Sequence, residues 1–163
     1  MAATPDGQHI ISGSDDKLVK VWSVATKSLV STCAGHADEV YAVAVMPDGQ
    51  RILSGDGIGT VRVWLLDGTL ENTCKHHHSA VRAVVALPDN QHALSSSIDS
   101  SVKLFNVNDG AVLRTLSFKH HPGMSPDQVI SLALLPDGLR FVSCSRDDTA
   151  YIAYHGLAPQ RAV

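Results

Sequence analysis

The sequence predicts an all-β chain assembled from four copies of one small antiparallel unit. Three observations carry this. The turn Pro-Asp-Gly stands at Pro5–Gly7, Pro47–Gly49 and Pro136–Gly138, with Pro-Asp-Asn at Pro88–Asn90, at spacings of 42, 41 and 48 residues. Fifteen residues beyond each turn's last residue stand Trp22, Trp64, Phe105 and Ala153. Between these landmarks ISGSDDKLVKVW, LSGDGIGTVRVW, LSSSIDSSVKLF and VSCSRDDTAYIA align without gaps. A fixed period of this length is the mark of a repeat architecture.

The second unit shows why each element forms. Val40–Val45 is β-branched and aromatic, and Pro47-Asp48-Gly49 ends it with turn chemistry. Gln50–Ser54 reads as the second strand and the glycine-rich Gly55–Gly59 as the next turn. Thr60–Leu65 alternates Val61 and Val63 against Thr60, Arg62 and Trp64, a strand period. Asp67-Gly68 then turns the chain into Thr69–Cys74. The units run 1–33, 34–74, 75–117 and 118–156, with a tail over 157–163. The first keeps only Met1–Ala3 of its opening strand. The fourth lacks a fourth strand, because HGLAPQRAV is polar and interrupted by proline. The longer 48-residue spacing comes from Ser117–Asp127, SFKHHPGMSPD, read as a seven-residue loop insertion.

Composition narrows the function. The chain has 163 residues, 44% apolar and 18% charged, with a formal charge of −3. An acidic balance without a basic stripe argues against nucleic acid. No apolar run approaches the roughly 18 residues of a membrane-spanning helix, and the start lacks the pattern of a secretory leader. Cys33, Cys74 and Cys144 are too few and too far apart for a disulfide framework, which suits an intracellular setting, the cytoplasm first and the nucleus second.

Gly35-His36, the run Ser12–Asp16, Val21-Trp22 and Val63-Trp64 together resemble the WD-repeat β-propeller family. The resemblance implies blades of four antiparallel strands arranged about an axis. It also implies a buried hydrogen-bond chain in each blade, from a loop histidine to a second-strand serine, a third-strand indole and a turn aspartate. Carried over, this gives Ser12, Asp16 and Trp22 in blade 1, and His36, Ser54 and Trp64 in blade 2. Blade 3 has His77, Ser95 and Asp99, and blade 4 has Ser143 and Asp147. Ile58 stands where blade 2 should have its aspartate, Phe105 has no N–H, and Ala153 replaces the aromatic. No blade therefore carries the full set. The same serine–histidine–aspartate triplet could suggest hydrolysis, but its recurrence once per blade marks a scaffold.

The resemblance implies a ring, and about three and three-quarter blades do not close one. Two open faces, each with three or four wet apolar side chains, would forfeit on the order of 10 kcal/mol. That is comparable to a domain's whole stability. The chain is accordingly expected to be part of a larger propeller, completed by further blades of a longer chain, or by a partner or a second copy, with a stable short arc as the remaining alternative.

The expected function is a non-catalytic, cofactor-free protein-interaction scaffold binding other proteins or peptides, not nucleic acid or membrane. The alternative is a regulatory or substrate-recruiting propeller portion of a multidomain enzyme or ubiquitin ligase complex. Trp22-Ser23-Val24-Ala25 and Trp64-Leu65-Leu66-Asp67 both lack the W-D-x-R box of ligase receptors. The candidate contact residues lie on the rim opposite the Pro-Asp-Gly turns: Asp15, Glu39, Tyr41, Arg82, Gln128 and Arg146. Tyr41 and Arg82 are equivalent in neighbouring blades, and both are types enriched at binding hot spots. The loops Lys75–His78 and Lys119–His121 could bring His76, His78, His120 and His121 together as metal ligands. The preferred reading is one structural histidine per loop with solvated neighbours.

Overall fold

A computed structural model describes residues 1–117, 128–146 and 149–157. These residues form four separate antiparallel sheets and no helix. The first sheet holds β1 (Ala2–Ala3), β2 (His9–Gly13), β3 (Leu18–Ser23) and β4 (Leu29–Ala34). The second holds β5 (Val40–Val45), β6 (Arg51–Asp56), β7 (Thr60–Leu65) and β8 (Leu70–Lys75). The third holds β9 (Val81–Ala86), β10 (His92–Ser97), β11 (Ser101–Asn106) and β12 (Val112–Ser117). The fourth has three strands, β13 (Val129–Leu134), β14 (Arg140–Ser145) and β15 (Ala150–Tyr154). Each sheet is a simple meander, with strands adjacent in sequence paired in space. These are propeller blades, not closed into a ring.

Blade boundaries differ from the sequence reading in one useful place. Strand β6 runs two residues past Ser54, because Gly55 pairs with both Ala42 and Val61, and Asp56 with Val40. The glycine-rich turn is correspondingly shorter, and Asp56 becomes the last residue of a strand rather than part of a loop.

The Pro-Asp-Gly turns are built alike. The last residue donates its N–H to the residue before the proline: Gly7 to Thr4, Gly49 to Met46, Asn90 to Leu87 and Gly138 to Leu135. All four sit at positive φ, between 58° and 71°. Glycine adopts this freely and asparagine tolerates it, which accounts for Asn90 standing in for glycine. The turns line one rim and touch their neighbours. Asp48 and Asn90 exchange hydrogen bonds at 3.1 and 2.6 Å.

The core lies between blades. Ile11, Val19, Val21 and Cys33 of blade 1 meet Val40, Ile52 and Trp64 of blade 2. Leu53, Val61, Val63 and Cys74 of blade 2 meet Val81, Val84, Ala93 and Phe105 of blade 3. Leu94, Val102 and Leu104 of blade 3 meet Val129, Leu132 and Phe141 of blade 4. Each blade thus has a forward face toward the next blade and a rear face toward the previous one. Blades 2 and 3 are covered on both, so Val61 and Trp64, on opposite faces, are buried alike. The forward face comes very close to the next inner strand. A Cβ added at Gly55 would lie 2.5 Å from Val81 Cγ1, and one at Gly13 would lie 2.6 Å from Val40 Cγ1.

The missing aromatic of blade 4 is not missing in space. On the rear face, one cross-strand pair recurs: Ile10 with Trp22, Ile52 with Trp64, Ala93 with Phe105, and Phe141 with Ala153. Every pair has one aromatic ring. In blade 4 the ring has moved to the neighbouring strand, and Phe141 is fully buried against blade 3. The same space is filled from the other side of the ladder. Phe141→Ala should therefore destabilise the chain by about 3–5 kcal/mol. The swap Phe141→Ala/Ala153→Phe, which reproduces the blade 3 arrangement, should recover most of that loss in urea unfolding.

Candidate functional site

In blade 2 a single polar chain crosses the sheet. Trp64 Nε1 donates to Ser54 Oγ at 2.8 Å. An indole N–H can only donate, so Ser54 accepts there and its own proton goes to His36 Nε2, 2.6 Å away. Nδ1 of His36 then carries the imidazole proton and donates it to Asp56 Oδ2 at 2.8 Å. Asp56 Oδ1 accepts the backbone N–H groups of Ile58 and Thr60 at 3.2 and 2.8 Å. His36, Ser54 and Asp56 are all buried. Blade 2 thus has a complete set, which corrects the sequence reading. Ile58 stands at the aligned position, but Asp56, two residues earlier at the end of β6, reaches the same imidazole nitrogen. A gapless alignment hides this, because a carboxylate at either end of the turn can close the bond.

Blade 3 repeats the arrangement with Asp99. His77 Nε2 lies 2.8 Å from Ser95 Oγ, and His77 Nδ1 lies 2.8 Å from Asp99 Oδ2. Burial alone would raise the Asp99 carboxyl's pKa, but hydrogen bonds from His77, Ser101 and the His78 N–H hold it far below the usual carboxylate range. Blade 1 has Trp22 Nε1 donating to Ser12 Oγ at 3.0 Å, while Asp16 faces Lys20 at 2.7 Å. In blade 4, Ser143 is buried and its Oγ has no partner among the described residues. Asp147, His120 and His121 lie outside the described residues, as does the Ser117–Asp127 insertion beyond Ser117.

His76 overturns a second expectation. It is not a solvated neighbour of His77. Its ring packs 4.8 Å from the Phe105 ring, and its Nε2 lies 3.1 Å from Ser95 Oγ. Ser95 is therefore contacted by two imidazoles, where Ser54 is contacted by one imidazole and one indole. His76 with Phe105 occupies the space and supplies the N–H that Trp64 provides alone. The equivalent of His76 in blade 2 is Gly35, where an added Cβ would stand 2.6 Å from Arg62 Nη1 and 3.5 Å from the Trp64 ring. Glycine beside indole and histidine beside phenylalanine are two solutions of one packing problem. The cost in blade 3 is His76 Nδ1, buried with no partner. Burial, with His77 and Lys103 nearby, pushes the His76 imidazole pKa down to about 4.

Two serine–histidine–aspartate relays with hydrogen bonds under 3 Å have the connectivity of a hydrolase triad. They lack its access. Ser54 and Ser95 are fully buried, and each hydroxyl is contacted by a second ring nitrogen in addition to its histidine partner. A nucleophile needs a free approach for the reacting carbon and donors for the oxyanion, and neither oxygen has open space. Burial and nearby Asp67 and Asp109 raise the Cys33 and Cys74 thiols to about 11, which leaves them unreactive. Among the described residues no three histidine, cysteine or acidic side chains converge as metal ligands.

On the rim opposite the Pro-Asp-Gly turns the candidate contact residues fall into two groups, with Asp15 apart from both. Arg82 places its guanidinium 4.6 Å from the centre of the exposed Tyr41 ring, and the Tyr41 hydroxyl donates to the Glu39 carboxylate. The equivalent position in blade 4 is the exposed Ile130. Arg146, also exposed, donates its backbone N–H to Gln128 at 3.0 Å. Asp15 is exposed in the turn between β2 and β3, and no hydrogen bond among the described residues ties it to either group.

Breaking a buried relay should be costly. Asp56→Ala leaves the His36 N–H facing no acceptor and should destabilise the chain by about 3 kcal/mol, read by urea unfolding. The depressed imidazole of His76 sets a pH dependence with a definite sign. Below the ordinary value of 6.5 the unfolded chain binds a proton that the folded chain refuses until about 4. Its stabilising effect is full above pH 6.5 and is lost as pH falls toward 4. The His36 imidazole, also lowered by burial, acts in the same direction. His76→Phe should flatten the loss of stability measured between pH 7.5 and 5.

Comparison with protein-family profiles matches the WD domain, G-beta repeat, over residues 1–23, 27–64, 68–106 and 111–152. Each of the last three matches opens on the outer strand of one blade and then takes in the first three strands of the next, so the repeat in sequence stitches two sheets. WD repeats generally mediate protein–protein interaction and are typically non-catalytic. Four such repeats, coincident with four meander sheets, with the histidine–serine–indole chain of blade 2 and its partial counterparts in blades 1 and 3, show that this chain belongs to the WD-repeat family.

Proposed function

We propose that this chain is a non-catalytic scaffold that binds a protein or peptide through the contact formed by Glu39, Tyr41 and Arg82. The supporting observation is the placement of Arg82 over the Tyr41 ring across a blade boundary. An aromatic ring held from above by a guanidinium and at its edge by a carboxylate presents a rigid surface at low entropic cost. Tyrosine and arginine are the residues that most often carry binding energy in such positions. The two inner strands β5 and β9, packed side by side, fix the backbone beneath both residues. The recurrence of the buried serine relay in two blades supports a structural role for it and hence the absence of catalysis by these groups. Three free thiols fit a reducing compartment.

The test is recovery of partners from an extract of the source cells on immobilised protein, comparing the wild type with Tyr41→Ala/Arg82→Ala. Recovery of the specific partner should fall at least about tenfold. The thermal unfolding curve should move little, since both side chains are exposed. Undiminished recovery would remove this contact from the proposal.

A further inference from the structure

The two outermost blade faces are the halves of an interface the chain already makes three times. At every internal junction the forward face of one blade covers the rear face of the next. The rear-face pair Ile52 and Trp64 is sealed beneath Ile11, Val19, Val21 and Cys33, leaving Trp64 1% exposed. Blade 1 carries the same rear-face pair, Ile10 and Trp22, with the same indole-to-serine bond to Ser12. Here nothing covers it among the described residues, and Trp22 is 37% exposed and Ile10 41%. At the other end, the forward face of blade 4 carries Val142, Ala150 and Ile152, at the positions of Leu94, Val102 and Leu104 in blade 3. Leu104 is 2% exposed and Ile152 is 66% exposed.

The internal junctions therefore state what covers each end. At the junction of blades 1 and 2, the one internal rear face bearing an isoleucine–tryptophan pair takes the β-branched Ile11, Val19 and Val21 together with Cys33 of the outer strand, and blade 4 offers Val142, Ala150 and Ile152 at the positions of the first three. From this geometry we infer that two copies associate head to tail, with Val142, Ala150 and Ile152 of one copy seated on Ile10 and Trp22 of the other. The contact is heterologous, so it either closes after a few copies or propagates. Two consequences follow. The forward-face position that is glycine in blades 1 and 2, where the next inner-strand valine presses against it, is Cys144 in blade 4, which is only partly buried. Its thiol would be shielded by the partner. Trp22 would move into the apolar surroundings that Trp64 already has.

The experiment is light-scattering mass of the full chain between about 1 and 200 µM, set against the 17.3 kDa of one copy, with Trp22→Asp and Ile152→Asp measured alone and as a mixture. The wild type should exceed one copy as concentration rises, with Cys144 becoming slower to alkylate and Trp22 harder to quench with acrylamide. Each variant alone should weaken association at least about tenfold. The equimolar mixture should form a dimer, since Trp22→Asp retains a sound forward face and Ile152→Asp a sound rear face. That arm stands even if Trp22→Asp disturbs the fold of blade 1, because its blade 4 is the end used. A wild type that stays at one copy throughout would overturn the inference. So would a Trp22→Asp/Ile152→Asp mixture no larger than either variant alone, which would instead indicate a symmetric contact between like faces.

Discussion

A sheet with apolar side chains on both faces is stable only when it is held between two others, and this constraint organises the whole protein. Leu53, Val61 and Val63 point one way from blade 2, and Ile52 and Trp64 point the other. No single blade has an inside and an outside in the usual sense. The hydrophobic effect acts across the gaps between sheets, so the stability of each blade is held jointly with its neighbours. The close approach of Val81 to Gly55 shows how tight those gaps are.

That packing leaves polar groups in dry surroundings, and the relays exist to satisfy them. The indole N–H of Trp64 must end on an acceptor once blade 1 covers it. Ser54 accepts it and donates its own hydroxyl hydrogen bond to His36 Nε2, and Asp56 terminates the chain. The geometry matches that of a catalytic triad because the chemical requirement is the same, a carboxylate that orients an imidazole beside a hydroxyl. What separates the two cases is access: here the hydroxyl's bonding capacity is taken by the structure itself.

The blades differ in how they meet these demands, and the differences are compensated locally. Blade 2 uses glycine beside tryptophan, and blade 3 uses histidine beside phenylalanine. Blade 4 moves its aromatic ring from β15 to β14. Each exchange keeps an aromatic ring buried against the neighbouring blade, and the His76 exchange also keeps a ring nitrogen on the serine. The rim is released from this bookkeeping, which is why it can carry residues as unlike as Tyr41, Arg82 and Ile130 at one structural position.

The repeat period, the turn residues and the β-branched strands determined the meander of each blade, because these are local properties that a short segment expresses without help. His36, Ser54, Trp64, His77, Ser95 and Asp99 were legible as one kind of network for the same reason, their spacing being fixed by the repeat. Asp56, His76 and Phe141 were not. Each acts by reaching a point in space that an aligned residue reaches from a different backbone position, and a column-by-column reading has no measure of that distance. The juxtaposition of Tyr41 and Arg82, 41 residues apart in sequence, became a contact only when β5 and β9 packed together. Sequence determined what each sheet is made of, and tertiary structure decided which atoms meet between sheets, because burial, hydrogen-bond closure and ring stacking depend on positions in space rather than on order along the chain.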